Sequence, residues 1–239
     1  QPFLGRDLGQ LRKYVYGARD RMDERYDIIR MVRNKQYKYI RNYEPLKTFY
    51  QYMNTPEKGA TMRELRRLHK AEKLSPEAER FFASRKPVEE LYDCQADPHE
   101  LNNLAGDKEY HCHLVGMRAR HLRWVRETGD LGLVPEGIIT ERTRSLGNSY
   151  AILRQEGAKE TNRLLANMAA KASSGHKAFA DLIAGLSAPD AAVRYWAATG
   201  VGNVAAGKSR AVSGTLKIKA REAAKRGLDD KSASVRIAL

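Results

Sequence analysis

Residues 86–107 constrain the fold most, because this stretch combines a strand, a tight turn and the start of a helix. Residues 90–92 alternate in polarity as a half-buried strand does. Asp97 precedes Pro98, and Glu100 follows three residues after Asp97. This is the pattern of a capping box with proline at the first helical position, so it predicts a helix that begins at Pro98. From the residues alone, an ordinary strand, turn and helix explains it.

The composition indicates a folded chain with a packed core. Its 239 residues are enough for one large or two modest domains, and 42% are hydrophobic while 30% are charged. No run of about 18 apolar residues is present, so no membrane span is predicted. The two cysteines, Cys94 and Cys112, do not form a disulfide framework, although they could pair with each other.

The formal net charge of +14 favours an anionic partner. Nucleic acid, a sulfated or phosphorylated ligand, an anionic membrane and an acidic protein surface all fit that charge. The alternative is that the basic residues are spread over solvated helix faces, since no dense basic block stands out. The charge therefore selects no partner by itself.

The pattern predicts an α+β fold that begins with a small antiparallel sheet. Strands are expected at residues 13–17, 28–33, 36–43 and 89–93, with packed helices around about four antiparallel strands. Two helices are expected between the third and fourth strands, and Ser75 before Pro76 is typical of a helix start. A longer helix follows at about 107–128, and its apolar stripe comprises Tyr110, Leu114, Met117, His121 and Trp124 or Val125.

Histidine and cysteine also cluster in that long helix. Residues 111–113 read His-Cys-His, but alternate residues of a helix point to different sides and no second pair has zinc spacing. We therefore expect surface residues there, and we expect His121, on the apolar stripe, to be a hydrogen-bonded core residue.

The last third of the chain is alanine-rich and has helical periodicity. Residues 189–194 are echoed at 231–236, and Val193 and Val235 are 42 residues apart. That offset suits HEAT-type helical repeats, which stack and usually present a binding face, although an ordinary helical bundle stays open. We predict a sheet-containing unit at 1–137, a linker and helix at 138–172, and HEAT-like repeats at 173–239.

Three sets of residues carry a resemblance to sulfatases. Leu-Tyr-Asp, then Asp-Pro-x-Glu, then Asn-Leu within the first stretch is similar to the C-terminal hallmark of that family. Other segments resemble bacterial members of the heparan N-sulfatase (sulfamidase)-like group, and these are residues 16–27, 30–33, 37–43 and 124–136. The alanine-rich tail around 193–198 resembles the HEAT-like extension of some bacterial sulfatases.

The resemblance implies a division of labour. Sulfatases have a large α/β domain of alkaline-phosphatase type with Ca²⁺ and a formylglycine, made from Cys or Ser in Cys/Ser-x-Pro-x-Arg, whose hydrate attacks sulfur. This chain resembles the smaller four-stranded subdomain that closes one side of the pocket. Neither Cys94 nor Cys112 lies in the nucleophile motif, and no metal-binding Asp cluster is recognisable. No catalytic or metal residue is therefore predicted here, and the implied partner is an upstream catalytic domain of the same chain, in the periplasm or outside the cell.

The implied ligand is a sulfated anionic substrate, which arginine forks and carboxylates could recognise. The loop after the first strand offers both types, and we predict Arg19, Arg21, Asp23 and Glu24 as substrate-binding residues. The alternative is that these residues pair with one another to hold the loop. Because the chain begins without Met and closes within a helical pattern, we expect a fragment that is inactive alone.

Two other functions compete with this one. A non-catalytic helical-repeat scaffold could bind a protein or polyanion through the basic tail. Nucleic-acid binding ranks third, because no recognised DNA- or RNA-binding motif accompanies the charge.

Overall fold

A computed structural model describes residues 12–206 and 212–239. The strands are β1 (Val15–Arg19), β2 (Ile29–Arg33), β3 (Tyr37–Asn42) and β4 (Glu89–Asp93). The α-helices are α1 (Asn54–Glu57), α2 (Ala60–Lys70), α3 (Pro76–Glu79), α4 (His111–Thr128), α5 (Glu136–Leu146), α6 (Ala158–Ala172), α7 (Phe179–Gly185), α8 (Ala191–Ala205), α9 (Gly214–Gly227) and α10 (Ala233–Ala238). In this part of the chain, no helix is both long and apolar enough to cross a membrane.

The four strands form one antiparallel sheet in the order β1-β2-β3-β4. Tyr39 of β3 lies opposite Val32 of β2 and Leu91 of β4, so these three side chains share a face. The predicted α+β class with a four-stranded antiparallel sheet is confirmed. The first strand lies two residues later than predicted, since Val15 pairs with Arg33 and Arg19 pairs with Ile29.

Helix α4 covers that face of the sheet. Leu114 and Met117 of α4 pack with Val32, Tyr39 and Leu91 into one buried cluster. This spacing is the apolar stripe that the sequence predicts, and a stripe of this kind is what holds a helix on a sheet. The strands' other side chains, which alternate with these, point to the opposite face of the sheet.

The helix predicted to begin at Pro98 is wrong. The Asp97 carboxylate accepts a hydrogen bond from the Asn102 backbone N–H at 2.7 Å, which closes a turn. Glu100 has a left-handed φ of +57°, and its carboxylate lies 2.6 Å from the Lys38 ammonium of β3. Glu100 is therefore held by a tertiary ion pair and does not cap a helix, as the capping box would require. By contrast, the predicted start at Ser75 is confirmed, because its hydroxyl accepts from the Ala78 N–H.

Helices α6–α8 pack around Trp196, which is fully buried. The Trp196 indole N–H donates to the Leu133 carbonyl at 2.7 Å and so ties α8 to the segment after α4. One hydrophobic cluster continues from Ile28 and Tyr43 beside the sheet to Val201 and Val204 in α8. The boundaries at 137 and 172 stay predictions.

Candidate functional site

The loop between β1 and β2 is anchored by a buried arginine. The Arg30 side chain has no exposed surface and donates to Asp130 at 2.6 and 2.7 Å and to Asp20 at 2.6 and 3.2 Å. Burial alone would lower the pKa of Arg30, but the hydrogen bonds and charges of Asp130 and Asp20 raise it. The loop is therefore fixed to the segment that follows α4.

Arg21, a predicted substrate residue, points into the protein. Its guanidinium donates to the Val134 carbonyl at 2.9 Å and to the Gly132 carbonyl at 3.4 Å. It also lies 5.1 Å from the centre of the Tyr26 ring. Through these contacts, Arg21 holds the loop against the segment after α4.

Asp23 and Glu24 lie at the exposed tip of the loop. Asp23 has a left-handed φ of +50°, and Met22 and Arg25 on either side exchange two backbone hydrogen bonds of 3.0 Å. Glu24 accepts from the Asn54 backbone N–H at 3.4 Å. The structure therefore separates these two carboxylates from Arg21, and it places Arg19 elsewhere again.

Arg19 lines a large cleft on the sheet face opposite α4. The cleft has a volume of about 880 Å³, within the range of small-molecule sites. Its walls come from β1, β4 and the turn after it, and from the segment between β3 and β4. The lining includes the guanidinium groups of Arg19, Arg25, Arg80 and Arg85.

We call this cleft, with its four arginines, the arginine cleft. None of the four forms an ion pair with a carboxylate of the described residues. Arg25 donates to the Gln51 carbonyl at 3.1 Å, and Arg80 donates to the Leu101 carbonyl. Arg19 has a buried Nε without a hydrogen-bond partner. The exposed Arg85 side chain forms no hydrogen bond or ion pair within the described residues. Guanidinium groups in this state are available to an oxyanion.

The carboxylates in the cleft are largely satisfied. Glu90 accepts from the Asn42 amide at 2.6 Å and from the Tyr92 hydroxyl at 2.5 Å. Burial and the hydrogen bond to Glu90 raise the pKa of Tyr92, so the phenol keeps its proton and donates. Glu100 is neutralised by Lys38, and Glu77 lies in the first turn of α3. The remaining field in the cleft is therefore positive.

Two aromatic side chains complete the cleft. Phe49 and Phe81 are half-buried and line it beside the arginines, and Asn102 and Asn103 add amides from the turn after β4. Apolar rings next to charged forks and amides suit a ligand with flat faces, hydroxyl groups and anionic groups.

The described residues offer no site for the Ca²⁺ that the family resemblance implies. Across 12–206 and 212–239, no three His, Cys, Asp or Glu side chains converge as ligands. Cys94 and Cys112 are separate thiols, and burial raises the pKa of Cys94, which disfavours a thiolate nucleophile. No chemical step is assigned to metal or thiol in this part of the chain.

The sequence analysis predicted Arg19 as a substrate residue but did not propose Arg80 or Arg85, which line the same cleft. The segment between β3 and β4 was expected to contain two helices, and nothing in it indicated that it would fold back over β4. The available signal was the spacing of two arginines around Phe81 and Phe82. Such a pair becomes a binding feature only when the tertiary fold brings it to Arg19.

Two curated proteins match the chain. It is 40% identical over 152 residues to an ulvan-active sulfatase of Formosa agariphila, an alignment that covers 64% of this chain and 26% of that protein. A second ulvan-active sulfatase of the same organism is 32% identical over 131 residues, which are 53% of this chain and 23% of that protein. The chain is therefore related in sequence to sulfatases and spans about a quarter of the length of these relatives. No family model matches it.

Proposed function

We propose that this chain is the substrate-recognition part of a sulfatase that acts on a sulfated glycan. The arginine cleft carries the proposal, because it gathers four guanidinium groups that lack carboxylate partners. The sequence relation to sulfatases supports sulfate as the anion, and both relatives are named as ulvan-active. Ulvan oligosaccharides are accordingly the first ligands to test.

In this role the cleft binds and orients the glycan. Arginine forks donate paired N–H groups to sulfate oxygens, and charge-assisted hydrogen bonds of this kind are among the strongest in proteins. Phe49 and Phe81 pack against sugar faces, while Asn102 and Asn103 reach hydroxyl groups. Of the predicted substrate residues, Arg19 binds the glycan directly and Arg21 positions the loop. Asp23 and Glu24, at the exposed loop tip, contact the part of the glycan that extends beyond the cleft.

Cleavage itself is proposed to belong to an upstream catalytic domain with formylglycine and Ca²⁺. The sheet face that α4 leaves open supports a covering partner, because Val15 is 46% exposed and Ile29, Met31 and Ile40 are only half-buried. Exposed apolar patches of this kind mark interaction surfaces. The arginine cleft lies on the same face, so the partner would complete it.

The bond that is cut can be a sulfate ester or a sulfamate, because the sequence resembles the N-sulfatase group. Both groups present the same anionic –SO3⁻ unit to the cleft. We propose the ester as the first choice, and an O-sulfated and an N-sulfated form of one oligosaccharide, compared as substrates of the complete enzyme, would decide between them.

The proposal is tested by steady-state kinetics of the complete enzyme with Arg85→Glu. We expect the KM for a sulfated oligosaccharide to rise about tenfold or more at unchanged kcat, because lost binding appears in KM. A small aryl sulfate, which cannot fill the cleft, should be turned over as before. Lys219→Glu on the exposed face of α9 reverses the same charge and should change neither parameter. An unchanged KM with Arg85→Glu, or turnover of aryl sulfate by the 239 residues alone, contradicts the proposal.

A second candidate is the helical-repeat scaffold, and a recurrent contact favours it. The Arg194 guanidinium donates to the carbonyls of Ala188 and Pro189, at 2.9 Å each. Arg236, 42 residues later, donates to the backbone carbonyls of Asp230 and Lys231 at 2.6 and 3.2 Å. The same turn is thus closed in the same way at the offset expected of HEAT-type repeats. If the tail binds a polyanion, Lys219→Glu with Lys225→Glu will weaken retention on heparin and Arg85→Glu will not.

A further inference from the structure

A second cavity lies between the sheet and the helices that follow it. Its volume is about 420 Å³, and its walls come from β3, β4, α4 and α6. Because Tyr39, Arg41 and Glu89 point to the α4 side of the sheet, this cavity and the arginine cleft lie on opposite faces. The residues that the argument uses are Arg41, Glu89, Arg118, His121 and Lys171.

The single carboxylate in this cavity is already saturated by donors. Arg118 donates two hydrogen bonds to Glu89, at 2.6 and 2.7 Å, and the Tyr39 hydroxyl donates a third at 2.6 Å. Arg41 adds an ion pair at 3.6 Å. Burial would raise the pKa of Glu89, but the hydrogen bonds from Arg118 and Tyr39 lower it, so the group stays ionised. Glu89 has little capacity left for a ligand.

The unsatisfied groups around the cavity are nitrogen atoms. The Arg41 Nε and the His121 Nδ1 are buried without hydrogen-bond partners, on side chains that are 7% and 0% exposed. His121 Nε2 lies 3.3 Å from the Tyr43 hydroxyl. Burial raises the pKa of that phenol, so the phenol can donate to Nε2 and leave the imidazole proton on Nδ1. These two atoms are buried in the cavity wall, and the Arg41 guanidinium also donates to the Ala170 carbonyl at 2.7 Å and to the Ser173 hydroxyl. The Arg118 and Lys171 side chains, which are 35% and 42% exposed, are the cations that a ligand in the cavity can reach.

The charge and shape point to an anion. Arg41, Arg118 and Lys171 face one carboxylate, Glu89, and Lys171 also pairs with Asp181 at the surface. The donors approach from β3, α4 and α6, so they surround the cavity on several sides. A tetrahedral oxyanion accepts hydrogen bonds from several directions, whereas a carboxylate is best matched by one planar fork.

We infer that this cavity is a second binding site, which takes a sulfate group either as the free ion or as the ester of a single sugar. Its occupant bridges the sheet to α6. The choice of sulfate among tetrahedral oxyanions rests on the proposed function, but the two sites can be tested separately because the cavity shares no lining residue with the arginine cleft.

The test is calorimetric titration of the whole chain with sodium sulfate and with glucose 6-sulfate, against sodium chloride at matched ionic strength. We expect saturable sulfate binding that Arg118→Gln weakens about tenfold, the loss expected of one charge-assisted hydrogen bond. Lys171→Gln should weaken it by about threefold, because this lysine is partly solvated. The free ion is the occupant if both probes bind equally, and the ester is the occupant if the sugar binds more tightly.

Arg163→Gln is the matched control for Lys171→Gln. It removes the same charge from the same helix, and Arg163 also has one surface ion pair, but it lies outside the cavity. Sulfate stabilises proteins in general through exclusion from their surfaces, and that effect is equal in all variants. Equal responses of wild type, Lys171→Gln and Arg163→Gln, or no saturable binding, overturn the inference. If Arg118→Gln does not fold, the comparison of the two α6 variants still decides.

Discussion

The sheet unit, which is β1–β4 with α4 and the loops around them, has a charged interior, whereas α7–α10 have an apolar one. In the sheet unit Arg30 lies between Asp20 and Asp130, and Lys86 pairs with Asp27 where both side chains are almost fully buried. Among the described residues, no charged or polar side chain after Asn162 is buried. The two regions therefore reach a packed state by different means.

The difference shows which interactions specify the packing of each region. A buried ion pair contributes little net stability, but removal of one partner is costly because the other charge stays buried. Such pairs fix the loops that border the arginine cleft. In the helical region, small residues let helices approach closely, and a Cβ on Gly200 of α8 would lie 2.5 Å from a Leu182 methyl of α7. Shape alone specifies that packing.

The largest expected effect is on the charged interior. Arg30→Met leaves Asp20 and Asp130 without their shared partner, and we expect a loss of about 3–5 kcal/mol in the free energy of unfolding. Urea denaturation measures it. Arg163→Gln, at an exposed pair on α6, should change stability by less than about 1 kcal/mol. A loss below about 1 kcal/mol for Arg30→Met would remove the contrast between the two interiors.

The next effect is on the apolar interior. Trp196→Phe removes the indole N–H, leaves the Leu133 carbonyl without its donor and opens a small cavity. We expect a loss of about 2–3 kcal/mol by urea denaturation. This loss should be the same at low and high salt, because no charge is involved. The effect of Arg163→Gln, which removes a surface ion pair, should by contrast depend on salt. A salt-dependent loss would show that charge contributes to the helical core as well.

Acid is expected to lower the free energy of unfolding by about 2 kcal/mol through one buried histidine of the sheet unit. Burial lowers the pKa of His121 from 6.5 to about 3, so the folded state keeps the imidazole neutral while the unfolded state binds a proton below about pH 6.5. Stability from this group is therefore full above pH 6.5 and is lost as the pH falls towards 3. Between pH 7 and pH 5 we expect a loss of about 2 kcal/mol.

His121→Gln is the control for that prediction, because glutamine cannot titrate but can still bond to Tyr43. Its unfolding free energy should fall less steeply between pH 7 and pH 5 than that of the wild type. Equal slopes would mean that His121 is protonated or solvated in the folded protein.

The smallest effect tests close packing in the helices. Gly200→Ala drives a methyl group into Leu182, and we expect a loss of about 1–2 kcal/mol by thermal or urea unfolding. Gly214→Ala is the matched control, since a Cβ there meets nothing within 4 Å. It should leave stability within about 0.5 kcal/mol or raise it slightly. A neutral Gly200→Ala would mean that α7 and α8 are not in tight contact.

The sequence predicted the sheet well because strands and helices have local periods. The alternation in residues 89–93 and the stripe on α4 both reflect which side chains face the core. The turn at Asp97 was mispredicted because Glu100 is bound by Lys38 of β3, a partner 62 residues away. Local pattern contains no information about such a contact.

The candidate site was predicted only in part for the same reason. Arg19 could be proposed from its loop, but Arg80 and Arg85 join it only after the segment between β3 and β4 folds over the sheet. Arg21 has a charge and position similar to those of Arg19, and only the structure shows that backbone carbonyls occupy it.

The most direct test of the central claim is calorimetric titration of the 239-residue chain with a sulfated ulvan oligosaccharide and its desulfated form at matched ionic strength. We predict saturable binding of the sulfated form, about tenfold or more weaker with Arg85→Glu and unchanged with Lys219→Glu. Equal binding of both forms, or equal loss in both variants, would contradict recognition of sulfate by the arginine cleft.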